Sequence, residues 1–277
     1  MPQSSAVRHA LLFYGITLFL ATLVRLAVPW VGAASLPLTM LTPAVAVLLM
    51  QAAIAPEGGW RSFAVSLGLT TAGWKAWPLA LFAPLLIHGV GLLVLVATGL
   101  TVFRPLDTTA NLVLALADVL AGLVVSTLFA MGEEVGWRGY MLPRLLRLGV
   151  LPALLLTGFL QGVWHMPLLL TTDLYHSSGN PWIVAPLFLV TLTLAGIFFG
   201  FLRLWTGSVW PAALAHGAVN VAWSAVTRMS GTASPMVLEY IGGESGLIVI
   251  SGLVVADTLI IGYMLRVGMM GRRAQRP

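Results

Sequence analysis

The stretch Leu112–Tyr140, LVLALADVLAGLVVSTLFAMGEEVGWRGY, decides how this chain is to be read. Its first twenty residues are apolar enough and long enough to cross a bilayer, which takes about 20 such residues. Two adjacent carboxylates, Glu133 and Glu134, follow directly, and Arg138 comes four residues after Glu134. Ionisable groups at membrane depth are expensive unless paired or wetted, so they mark a functional site by default. On a helix Glu134 and Arg138 share a face and can pair. Glu133 points about 100° away from that pair. The reading is therefore of Arg138 anchoring Glu134 while Glu133 stays free to face a cavity as a general base. A helix ending at the interface with ordinary solvated charges fits the stretch equally well when it is taken alone.

The rest of the chain fits a membrane setting. Of 277 residues 59% are hydrophobic and 8% charged, and the mean hydropathy is +0.97. Soluble domains use about 25% charged residues. These values imply an all-α polytopic membrane protein with 1–277 as one integral domain and a motif-bearing core over 112–226. Eight spans are expected, at 10–30, 36–55, 78–103, 112–135, 150–171, 182–203, 208–226 and 246–267. The first carries Arg25 and is too long for a signal-peptide core, so a retained helix is favoured over a cleaved leader. The most polar segment is 56–77, with Pro56, Gly58, Gly59, Arg61 and Lys75. Cysteine is absent, which excludes disulfides, thiolate metal sites and cysteine nucleophiles.

The net charge of +5 is read as positive loops on the cytoplasmic side, not as nucleic-acid binding. With the N-terminus inside, one face collects Arg8, Arg61, Lys75, Arg138, Arg144, Arg147, Arg203, Arg266, Arg272, Arg273 and Arg276. The other holds Arg104 and Arg228, with Arg25 near it. Both termini are thus expected in the cytoplasm, and the catalytic cavity is expected to open to the same side.

Two later segments supply polar groups that match Glu133. His165, in Trp164-His165-Met166-Pro167, lies four residues after Gln161, and His216 lies four before Asn220. A lone membrane histidine is often only bonded to a carbonyl, but two in separate spans beside a Glu pair point to a shared site. His9 and His176 are expected to be solvated. Structural pairing is expected for His88, Asp118 and Asp257.

In their order and identity, the EExxxR set (Glu133, Glu134, Arg138), the mid-span His165 and the HxxxN set (His216, Asn220) resemble the CPBP family. These are bacterial relatives of type II CAAX prenyl endopeptidases, also called the Abi family. The resemblance runs from Gly132 to Asn220. It implies eight membrane helices, a cytoplasm-facing catalytic cavity and an intramembrane endopeptidase of a bacterial cell membrane acting on a membrane-associated or lipidated peptide. It further implies that Glu133 and His165 activate a water, that His216 and Asn220 stabilise the oxyanion, and that Glu134 and Arg138 brace the site. The family pattern FxxxH has Gln161 at its Phe position here, which bears on the shape of the substrate pocket.

Trp137, Gln161, Trp164 and Phe199 are expected on the substrate cavity. No cofactor is expected, since Asn is a poor zinc ligand, although Glu133, His165 and His216 would be the set to hold Zn²⁺. Two other classes stay open. A proton-coupled transporter would use the same residues as a relay, though no internal repeat is evident. A non-catalytic immunity or scaffold protein would keep the fold without turnover. Nothing in the sequence speaks to oligomeric state.

Overall fold

The computed structural model describes residues 3–54, 59–105, 112–176 and 178–270. Pro56, Gly58, Arg272, Arg273 and Arg276, used in the sequence reading, lie outside them. The described residues form helices and turns, with one isolated antiparallel bridge between Phe103 and Ser230. In chain order the helices are α1 (Gln3–Val31), α2 (Ser35–Ile54), α3 (Gly59–Leu67), α4 (Trp77–Ala97), α5 (Leu112–Glu134), the single turn α6 (Leu142–Leu145), α7 (Val150–Thr171), α8 (Pro181–Thr206), α9 (Trp210–Met229), the short α10 (Pro235–Val237) and α11 (Leu247–Arg266).

Among the described residues six helical stretches are long and apolar enough to cross a membrane, and the first, Ser5–Ala53, takes in most of both α1 and α2. The α9 helix is not among them; its 20 residues include His216, Asn220 and Arg228. Leucines, valines and phenylalanines stand exposed along α1, α2, α4, α5 and α11. In water such a surface would be untenable, but in lipid it is the ordinary outer face of a bundle. Trp30 and Trp182 are exposed near one end of the bundle, and Trp60 and Trp74 near the other, where amphipathic rings sit at headgroup level. The chain is an all-α polytopic membrane protein.

The helix boundaries follow the sequence reading to within a few residues, except that α1 begins at Gln3, seven residues before its expected start, and that one span is shorter. The span expected at 78–103 ends at Ala97. Gly99, at φ 72°, takes the left-handed conformation that closes a helix. The chain then turns to place the Arg104 amide on the Met229 carbonyl.

Small residues set the spacing of the helices that carry the site. A Cβ added at Gly217 on α9 would lie 2.6 Å from the Thr127 hydroxyl oxygen on α5. One added at Gly158 on α7 would lie 2.9 Å from the Gly196 Cα on α8. Such backbone contact is how membrane helices gain packing where apolar burial gives no advantage over lipid. Glu133 and His216 sit on helices held together by the first of these crossings. Gln161 and His165 follow the second.

Candidate active site

The α5 helix does not stop after the Glu pair. Val135–Met141 continues it as a π-helical turn, and α6 carries on to Leu145. π segments widen a helix locally and recur at functional sites. Glu133 therefore lies twelve residues, or about 18 Å, inside a continuous helical rod, and it is 1% exposed. This depth lets it share a cavity with His165, fifteen residues into α7.

Behind the cavity lies a buried polar chain. Arg138 Nη1 donates to Glu134 Oε1 at 3.0 Å and to Gln161 Oε1 at 2.5 Å. Gln161 Nε2 donates to Glu133 Oε2 at 2.9 Å. His216 Nδ1 lies 2.9 Å from Glu134 Oε1. Because a carboxylate there can only accept from the ring, that bond leaves His216 Nε2 as its remaining polar atom. Glu134, Arg138 and Gln161 are all fully buried. The guanidinium also stands 5.0 Å over the Phe199 ring, which stacks on His216. Arg203 Nε donates to the Arg138 carbonyl at 3.3 Å.

The working face is a cavity of about 260 Å³. Glu133, His165, His216 and Asn220 all line it, together with Thr39, Trp164, Tyr175, Trp223 and Glu244 among others. His165 Nδ1 is 2.9 Å from the Gln161 carbonyl. A carbonyl cannot donate, so Nδ1 carries the proton and Nε2 is an acceptor in the neutral ring. Trp164 is fixed by a hydrogen bond from its indole to Thr42 Oγ1 at 3.2 Å.

Several expectations need revising against this geometry. Trp137 and Gln161 do not line the cavity. Trp137 is fully buried against Phe13, Tyr14 and Trp164, and Gln161 is spent on the internal chain. Phe199 lines a second, smaller chamber instead, and of the four only Trp164 lines the main cavity. His176 is not solvated: its side chain is 4% exposed and bonds Glu239 Oε2 at 2.7 Å. Asp118 is exposed, and neither carboxylate oxygen of Asp257 has a partner among the described residues. His88 bonds only the Pro84 carbonyl of its own helix.

The cavity also lies on the side of Glu133 away from the Arg-rich helix ends. Its further lining comes from the start of α2, the 172–176 connection and the loop before α11. This differs from the expected opening toward the Arg-rich end.

Sequence reasoning missed Tyr175, Glu239 and Glu244. Tyr175 donates to Glu244 Oε2 at 2.8 Å, and His176 Nε2 lies 3.4 Å from the same oxygen. Burial works against a charge on His176, but its bonds to Glu239 and Glu244 prevail and raise its pKa to about 9. His176 is also the only non-glycine residue among those described with a positive φ, 55°. The sole prior signal was two Glu in the polar run between α9 and α11. Among the described residues no group of three His, Cys, Asp or Glu side chains is arranged to hold a metal ion.

Residues 115–222 match the family model described as type II CAAX prenyl endopeptidase Rce1-like. No curated protein gives a significant match. The matched segment spans the Glu pair, Arg138, Gln161, both cavity histidines and Asn220, so the part of the chain that carries this site is similar to the Rce1-like, type II CAAX prenyl endopeptidase family.

Proposed function

We propose that this protein is an intramembrane endopeptidase that hydrolyses a peptide bond in a membrane-associated peptide or protein. The observation that carries this reading is that Glu133, His165, His216 and Asn220 face one cavity while Glu134, Arg138 and Gln161 form the buried frame behind it. Nucleophile activation and charge stabilisation are thereby grouped around one space.

In this reading a water is held between Glu133 and His165 Nε2. Its oxygen attacks the scissile carbonyl carbon as the proton passes to Glu133. The negative charge that builds on the carbonyl oxygen is met by the Asn220 amide and by His216 Nε2–H, with Glu134 balancing the imidazolium. Glu133 then returns the proton to the leaving nitrogen as the C–N bond breaks. A positioned base typically contributes ~10²–10⁴-fold, and one oxyanion donor ~10²–10³-fold. The bonds from Gln161 and Glu134 fix Glu133 and His216 before substrate arrives, which is what preorganisation requires.

In this reading the Arg-rich helix ends lie on the cytoplasmic side, as the excess of Arg and Lys there favours. The substrate then meets the catalytic groups from the opposite half of the bundle or from the bilayer. Cysteines introduced singly at Trp60 and Trp182, labelled from each side of intact vesicles, test this orientation.

The direct test of function is Glu133→Gln in proteoliposomes against a quenched fluorescent membrane peptide. Cleavage should fall by at least about 10²-fold while the protein stays folded. A variant retaining most of its activity would refute the role of Glu133. Uptake of protons or solute without cleavage would favour a transporter.

A further inference from the structure

A second chamber of about 50 Å³ adjoins the catalytic cavity. Leu192, His216 and Glu244 line both spaces, so the chamber opens beside the catalytic histidine. Apart from Thr191, whose hydroxyl donates to the Leu187 carbonyl, its walls are otherwise apolar, from residues such as Ile87, Phe198, Val249 and Leu253, and His88 lies among them. His88 is 3% exposed, and its Nε2 has no hydrogen-bond partner among the described residues. Its Nδ1 lies 3.0 Å from the Pro84 carbonyl and so carries the proton. Nε2 of the neutral ring is then an acceptor waiting for a donor.

Glu244 supplies charge at the same place. Tyr175 and His176 hold its Oε2. Glu133 and Glu244 line these spaces, while behind them Glu134 is paired with Arg138 and Glu239 with His176. Among the described residues Glu244 has no Lys or Arg partner: it accepts from Tyr175 and shares His176 with Glu239, which leaves it short of a full counterion. In a low-dielectric site that deficit favours a cation. A buried acceptor, an unbalanced carboxylate and apolar walls together match a long side chain with a charged tip.

We propose that the chamber between Glu244 and His88 is a specificity pocket for a basic side chain of the substrate. A lysine stem lies along Ile87, Leu192 and Val249, and its ammonium donates to the Glu244 carboxylate and to His88 Nε2. Tyr175 and His176 act as positioning residues that aim Glu244. The inference rests on the endopeptidase reading for its purpose but not for its test.

The test uses the full chain carrying Glu133→Gln in nanodiscs, which separates binding from turnover. The probes are fluorescent apolar peptides of about 20 residues, identical except for one Lys, norleucine or Glu scanned along the sequence. At one or two positions Lys should bind about tenfold tighter than norleucine, the worth of one charge-assisted hydrogen bond, and Glu should bind weakest. Adding Glu244→Gln or, independently, His88→Leu should bring Lys down to the norleucine level. Equal binding of Lys and norleucine at every position overturns the pocket, and so does an absence of binding by all peptides. That comparison needs no pocket variant to fold. Cleavage of the same peptides by the wild type is measured in parallel. Lysine preference without cleavage defeats the endopeptidase reading and leaves the pocket standing, whereas cleavage without lysine preference does the reverse.

Discussion

Replacing Gln161 by Leu tests the internal chain at its centre. Gln161 is fully buried and spends both ends of its amide, accepting from Arg138 at 2.5 Å and donating to Glu133 at 2.9 Å. Hydrogen bonds to charged groups contribute roughly 1.5–3 kcal/mol each, so losing two costs about 3–6 kcal/mol. A leucine of similar size regains part of this through packing, roughly 1–2 kcal/mol. The net destabilisation should be about 2–4 kcal/mol. Function should suffer more distinctly than stability, because Glu133 loses the bond that fixes its carboxylate. A displacement of about 1 Å is enough to cost ~10²-fold in turnover. The assay is peptide hydrolysis in proteoliposomes, with kcat and KM resolved and unfolding followed by tryptophan fluorescence. The loss should fall on kcat with KM nearly unchanged. Turnover within threefold of wild type, in a protein whose stability had dropped as expected, would show that Gln161 holds the fold and does not aim Glu133.

Arg138→Ala should destabilise by about 3–5 kcal/mol, since it strands Glu134 in a buried site, and yields of folded protein in detergent should fall with it. Full expression and unchanged unfolding would show the pair to be dispensable. Gly217→Val should separate α5 from α9, because its Cβ would meet Thr127 at 2.6 Å; loss of activity with a lowered unfolding temperature is expected, and wild-type behaviour would refute the close crossing. His176, with a folded pKa of about 9 against 6.5 for the free side chain, contributes stability that is complete below the lower value. That contribution should be lost as pH rises through about 9, and unfolding temperatures of wild type and His176→Gln should converge there. Chelators should leave hydrolysis nearly unchanged, and inhibition reversed only by Zn²⁺ would replace the water-activation scheme with a metal-assisted one.

Much of the architecture was legible because lipid enforces it. A bilayer requires about 20 apolar residues per helix, and the runs beginning at Ser35, Leu112, Val150 and Leu247 were bounded to within a residue or two. The helix after Trp77 is shorter than its apolar pattern suggests because Leu100, Val102 and Phe103 carry the pattern past its end; the turn at Gly99 closes it. The Glu134–Arg138 pair was legible from spacing, since both lie on one chain segment four residues apart.

The sequence by itself determined the class of the protein, the approximate limits of its helices and a short set of chemically competent residues, because periodicity, hydropathy and spacing are local properties. The tertiary structure decided which of those residues meet and what each one faces. Gln161 is bound to Arg138 and Glu133 across 23 and 28 residues, and no local pattern distinguishes that role from a place on the cavity wall. His216 is tied to Glu134 across 82 residues. Tyr175, His176 and Glu244 come together from two loops 69 residues apart, so a histidine that reads as solvated is buried against carboxylates. The His216–Glu134 bond depends on how closely α5 approaches α9, and that approach is set by the contact of Gly217 with Thr127, ninety residues away in the chain.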